Sequence, residues 1–185
     1  MPTRAKGRQF EAEVEATFPA YRAGGFAHLM RMPVPTVPTG TQTKHGPVMR
    51  LSGSAPFDVV GYTLDTGKMI GAELKESART KTSLRIVGPG LSGSGVQWHQ
   101  LEALYGLHYA GGHAYLLWSN GGLVGRIAGD ELAEAYERAE RAFSGRSEKV
   151  GQKSIPYKDF TPVAWTEISG SPTLDWLGVD TTNPM

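Results

Sequence analysis

No cysteine occurs among the 185 residues, which removes disulfides, thiol nucleophiles and every cysteine-containing zinc site together. Any bound metal must then be held by carboxylate, carbonyl or imidazole. The histidines offer no recognisable zinc spacing, and His99, His108 and His113 read as packing or surface residues. Long apolar runs are also missing: none approaches the roughly 20 residues of a membrane-spanning helix. The opening Met-Pro-Thr-Arg-Ala-Lys-Gly-Arg has no apolar segment behind its charges. The expected setting is the cytosol, without membrane association or an organic cofactor. Net charge is nearly absent, at 19 Lys and Arg against 18 Asp and Glu, yet its distribution is uneven. Residues 1–50 carry seven basic and three acidic side chains, whereas residues 101–150 carry five and seven. A basic front and an acidic rear suit a chain that turns one positive face to an anionic partner.

What is present suffices for a packed core. Hydrophobic residues make up 39% of the chain, with four Trp, seven Tyr and six Phe, enough for one domain or a domain with an appendage. Phe10, Val14 and Phe18 lie four apart and predict an amphipathic helix over Ala5–Phe18, ended by Pro19. A strand is expected over Phe26–Met32. The run from Pro33 to Pro38, with three prolines in six residues, then excludes both a helix and a central strand and leaves an extended ribbon, with a turn near His45-Gly46-Pro47. Phe57–Thr63 and Met69–Lys75 flank the turn residues Asp65-Thr-Gly67 and read as a β-hairpin. A mobile Ser/Thr/Gly-rich loop around a short strand at Leu84–Val87 should follow. Next come a helix over Val96–Tyr109, strands at Ala114–Trp118 and Leu123–Ile127 about an Asn120-Gly-Gly turn, and a helix over Asp130–Phe143 capped by Asp130. Beyond Ser144 the pattern is loop-rich, with one short strand expected near Val163–Ile168. The order predicts an α/β or α+β domain around a mixed sheet.

Chemistry concentrates on the hairpin. Asp58 precedes Glu73-Leu-Lys75 by fifteen residues, and period-two alternation puts Glu73 and Lys75 on one strand face. Two carboxylates on neighbouring strand ends can share hard divalent ions, magnesium being the natural one, with a lysine aimed into the same site. Phosphodiester hydrolysis suits that group: the metal acidifies water and neutralises charge, and the lysine positions the water or stabilises negative charge. A surface ion pair on a solvated hairpin is the plain alternative.

In order along the chain, Asp58 with Glu73-x-Lys75 resembles the PD-(D/E)xK nucleases, and residues 4–127 resemble the RecU-type Holliday junction resolvases within that superfamily. Four stretches carry the likeness: Lys6-Gly-Arg-Gln-Phe-Glu11, Met32-Pro-Val-Pro-Thr-Val-Pro38, Gly71-Ala-Glu-Leu-Lys-Glu-Ser77 and His99-Gln-Leu-Glu-Ala-Leu104. They are similar to the family's Gly-x-x-x-Glu helix start, the approach to its protruding stalk, its acidic-x-Lys strand and its His-Gln helix. The segment Thr39–Gly53 is shorter than that stalk, and the tail from about Ser144 has no counterpart.

The resemblance implies a restriction-endonuclease-like α/β fold, a mixed β-sheet flanked by helices with a short Pro-rich ribbon near 33–53. Residues 1–143 would form the nuclease domain and 144–185 a loop-rich extension packed on it. Glu11, Asp58 and Glu73 would hold Mg2+ (or Mn2+), Lys75 would be the catalytic cation, and Gln100 would orient water or a ligand. Arg4, Lys6, Arg8, Lys44, Arg50, Arg79, Lys81 and Arg85 are the candidate DNA contacts. The expected activity is magnesium-dependent resolution of four-way junctions by paired symmetric nicks, performed by a homodimer in a bacterial cell or a phage-infected host. Two alternatives remain: a nuclease of other branched or duplex DNA, and a non-catalytic junction-binding protein.

Overall fold

Proline decides the first departure from expectation. In the computed structural model, which describes residues 3–33, 36–43, 46–51, 55–144 and 153–179 (backbone alone for 3–8, 36–43 and 46–51), helix α1 spans Thr3–Glu15 and buries Phe10 and Val14. Pro19 does not end it. It sits in the first turn of a second helix, α2 (Phe18–Ala23), where a missing N–H costs nothing and the fixed φ suits helix entry.

Strand β1 (Ala27–Arg31) follows, then β2 (Thr36–Thr43) and β3 (Gly46–Leu51). The last two pair antiparallel as a separate two-stranded ribbon, with a register shift between Pro38 and Gln42. Thr36–Pro38 of the Pro-rich segment is therefore extended, as its composition requires; Val34, Pro35, Lys44 and His45 lie outside the described residues. Strands β4 (Val59–Thr63) and β5 (Met69–Ser77) form the expected antiparallel hairpin. In the segment beyond it the short strand expected at Leu84–Val87 is present, and it is paired on both sides. There β6 (Ser83–Val87) lies between β7 (Val96–Gln97) and a tail strand, β10 (Ser154–Pro156).

Helix α3 (Trp98–Tyr109) leads into β8 (His113–Asn120), which pairs parallel with β5, and β9 (Leu123–Ala128) returns antiparallel. Between them Gly121 and Gly122 both have positive φ, 64° and 94°, the backbone that a two-residue hairpin turn requires. Helix α4 (Gly129–Phe143) then crosses the sheet. Its N-cap is Ala128, without a side-chain cap; Asp130 sits inside the first turn and approaches His108 Nε2 at 3.4 Å.

The sheet order β1-β4-β5-β8-β9-β11, with β11 spanning Thr161–Pro162, makes β5 a central strand. Helices α3 and α4 cover one face through Leu101, Leu104, Leu132 and Tyr136, against Leu116 and Trp118. Helices α1 and α2 cover the other, against Val59, Ile70, Ala72 and Leu74. The protein is thus a mixed α/β structure whose large sheet is flanked by helices. Among the described residues no helix is long and apolar enough to cross a membrane.

The tail corrects the sequence expectation most. Besides β10 and β11 it forms a hairpin of β12 (Trp165–Ile168) and β13 (Ser171–Leu174). Ile168, Leu174 and Trp176 are buried in the same cluster as Phe10 and Tyr21. The Trp176 indole N–H donates to Thr17 Oγ1 at 3.0 Å, and the Tyr21 hydroxyl donates to the Leu174 carbonyl at 3.0 Å. The rings of Tyr21 and Tyr115 both meet Trp176 edge-on, at 5.8 and 5.5 Å.

Candidate active site

Alternation along β5 sends Ile70, Ala72 and Leu74 towards α1 and α2, and Glu73 towards α3. The β4–β5 register pairs Val59 with Ala72, so one further step sets Asp58 across from Glu73. The Asp58 N–H donates to the Ala72 carbonyl at 2.9 Å, and Asp58 Oδ2 accepts from the Leu74 N–H at 2.8 Å. The aspartate is therefore fixed by main-chain bonds to the strand that carries its partner.

Glu73 is 1% exposed. Its Oε1 accepts from Lys75 Nζ at 2.5 Å and from Gln100 Nε2 at 2.6 Å, while Oε2 is buried without a donor. Burial pushes this carboxyl up to about 8; Lys75 opposes the rise and the neighbouring Asp58 carboxyl adds to it. Two ionised carboxylates in a dry site repel, and a proton or a cation between them relieves the repulsion.

A raised carboxyl pKa makes the protonated form the one the fold prefers. The stabilisation is full below the unfolded value of 4.5 and is lost as pH rises through about 8. In chelator, the stability of the wild type should therefore fall over that window relative to Glu73→Gln, by an amount on the order of a few kcal/mol at its upper end, with the melting temperature falling alongside. Thermal denaturation at a series of pH values reads this directly, and parallel pH profiles for the two proteins would contradict it.

Gln100 is placed by its own helix start. Its Oε1 accepts from the Gln97 N–H at 3.0 Å, which leaves the NH2 group to face Glu73. Helix α3 is anchored alongside by Tyr136, whose ring stacks on Trp98 and on Tyr105 at 5.0 and 4.2 Å.

Asp58, Glu73, Lys75 and Gln100 thus converge. Glu11 does not join them: its carboxylate pairs with the Arg31 guanidinium of β1, which also approaches Glu15 at 3.9 Å, and its helix packs on the opposite sheet face. Among the described residues no three His, Asp or Glu side chains form a ready cation cage. Magnesium, which keeps several waters and takes one or two carboxylates plus substrate phosphate oxygens, needs none. The oxygen-only donors and the orphaned buried Oε2 fit such an ion.

Of the candidate DNA contacts, Arg79, Lys81 and Arg85 are exposed beyond β5. Arg4, Lys6 and Arg8 lie on the first turns of α1 and Arg50 on β3, opposite Val37, with their side chains outside the described residues. Lys44 lies wholly outside them.

Sequence reasoning misses Arg31, the partner of Glu11, and Asn120, which it reads as a turn residue. Asn120 is fully buried, and its side chain accepts from the Lys81 N–H and donates to the Lys81 carbonyl, both at 2.8 Å. Its place before Gly-Gly suggests a turn and carries no hint of this clamp. No protein-family model matches the chain, and a search of curated proteins found no similar one.

Proposed function

We propose that the protein is a magnesium-dependent, structure-selective endonuclease of restriction-endonuclease-like fold that resolves four-way DNA junctions by paired symmetric nicks. The reading rests on one observation: the buried Glu73, with an orphaned oxygen and Asp58 beside it, is held by Lys75 and Gln100. A buried carboxylate beside a second, half-buried one, with a cation at hand, is costly for stability alone and suits a site that receives charge.

Asp58 and Glu73 would hold magnesium, with manganese as a substitute. Bound there, the ion would supply Lewis acidity, making water a better nucleophile and neutralising phosphate charge. Lys75 brings an ammonium to the negative charge that develops on the phosphate. Gln100 keeps Glu73 in one orientation by spending its own oxygen on the Gln97 N–H. The two-fold symmetry of a four-way junction calls for two sites, which a C2 homodimer supplies, with the β2–β3 ribbons reaching between DNA arms. The setting would be the cytoplasm of a bacterial cell or a phage-infected host.

A labelled four-way junction incubated beside a linear duplex of the same sequence tests this. Paired nicks in the junction alone, in magnesium but not in chelator, are expected, with at least a hundredfold loss (~3 kcal/mol) in Asp58→Asn while DNA binding persists. Equal cutting of both substrates would make the protein a general nuclease. Tight binding without cutting under any divalent metal would make it a junction-binding protein.

A further inference from the structure

Next to the carboxylate pair, β6 alternates between core and solvent. Leu84 and Ile86 are buried, while Ser83 and Arg85 point the other way. With Lys75, Ser77, Lys81, Ser94 and part of Leu84 they line a cavity of about 160 Å³. That is well below the roughly 300 Å³ at which pockets for organic ligands begin, so the cavity suits a small group. Its lining opposes three cations, Lys75, Lys81 and Arg85, to the single carboxylate of Glu76. Hydroxyls complete it.

The walls are built rather than merely charged. Asn120, fully buried, uses both ends of its amide to fix the main chain of Lys81. The Trp118 indole N–H holds Ser77 Oγ at 3.0 Å. Gly95 closes the far side with φ +128°, packed so tightly on the Arg85 main chain that a Cβ there would meet the carbonyl oxygen. A buried amide spent on positioning one exposed lysine is hard to explain by stability alone, since solvent would satisfy that backbone equally well.

We infer that this cavity seats the backbone phosphate next to the one that is cut. The inference rests on the nuclease reading for the identity of the polymer, but the preference for a phosphate group follows from the lining. Lys75 belongs to both places: its Nζ bonds Glu73 at 2.5 Å and its side chain lines the cavity. An anion bound there lies one side chain from the carboxylates, and the neighbouring phosphate of a polynucleotide strand occupies that position when its scissile phosphate sits at Glu73. The seat contacts no base, so it fixes the register of the strand without reading sequence. Asn120 acts through Lys81 as a positioning residue.

Two measurements in chelator, where no cutting intervenes, test this. First, inorganic phosphate is titrated into the full chain and followed by protein amide chemical shifts. Saturable shifts around Lys81 and Arg85 are expected, with affinity at least tenfold weaker in Lys81→Ala/Arg85→Ala and unchanged in Arg141→Ala, a charge control on α4. No saturable shifts in the wild type, or equal affinity in the double variant, would overturn the seat. Second, the dissociation constant is measured for DNA carrying one neutral methylphosphonate at each successive position around the cut. One position adjacent to the scissile phosphate should weaken wild-type binding about tenfold and have no further effect in the double variant. Additive losses at every position would overturn the assignment while leaving the nuclease reading intact. Phosphate binding without any DNA binding would keep the seat and remove the nuclease reading.

Discussion

Glu73→Gln should abolish magnesium-dependent cleavage, by at least about a thousandfold (~4 kcal/mol of transition-state stabilisation), without destabilising the protein at neutral pH. Both halves of the expectation follow from the same side chain. Glutamine reproduces the shape of the protonated carboxyl that the dry site prefers, since burial raises Glu73 to about 8. It can still accept from Gln100 and from Lys75 through its carbonyl oxygen. What it removes is the negative charge that, with Asp58, would hold a divalent ion. A structural role for the same contacts predicts the reverse pattern, a loss of stability with cleavage falling only as the folded fraction falls. Initial rates in magnesium, set beside denaturant melts at pH 7, separate the two.

Removal of residues 153–185 should unfold the protein. The tail buries Ile155, Phe160, Ile168, Leu174 and Trp176, and loss of each large buried side chain costs about 2–5 kcal/mol. Five such losses come to about 10–25 kcal/mol, as large as or larger than the roughly 5–15 kcal/mol by which domains are stable. The milder Trp176→Ala should cost about 3–5 kcal/mol and lower the melting temperature by about 10 °C, because it also removes the indole N–H that donates to Thr17 Oγ1 and the edge-on ring contacts with Tyr21 and Tyr115. Circular dichroism melts of the two proteins check this. A truncated chain that melts like the full one would mean that the tail is a dispensable appendage.

The tail is the part least legible in the sequence, and the reason is physical. Strands of two to four residues such as Thr161–Pro162 and Ser171–Leu174 are too short for alternation to accumulate, and the tail is held by partners distant in sequence, with Thr17 lying 159 residues before Trp176. Trp176 finds Thr17 and Tyr21 only once the chain has closed on itself. The β4–β5 hairpin is legible for the opposite reason: its turn is local, Asp65-Thr-Gly67, with Gly67 at φ +68°, and its flanks alternate over enough residues to sort their faces. Alternation alone puts Glu73 and Lys75 on one side of the strand. Pro19 misleads because a helix stop and a helix start use proline alike, and the distinction depends on whether apolar residues follow. Glu11 shows the limit of reading a carboxylate from one helix: its pairing with Arg31 depends on where β1 lies beside α1, which no local pattern encodes. Asp130 likewise has the right residue type for a cap but falls two positions too late.

The central claim is that Asp58 and Glu73 form a divalent-metal centre, and calorimetric titration of manganese into the full chain, free of DNA, tests it most directly. The account predicts saturable binding to the wild type with a stoichiometry set by this one cluster, and its loss in both Asp58→Asn and Glu73→Gln, each still folded by circular dichroism. Manganese binding of undiminished affinity in those two variants, or none in the wild type at millimolar metal, would contradict it.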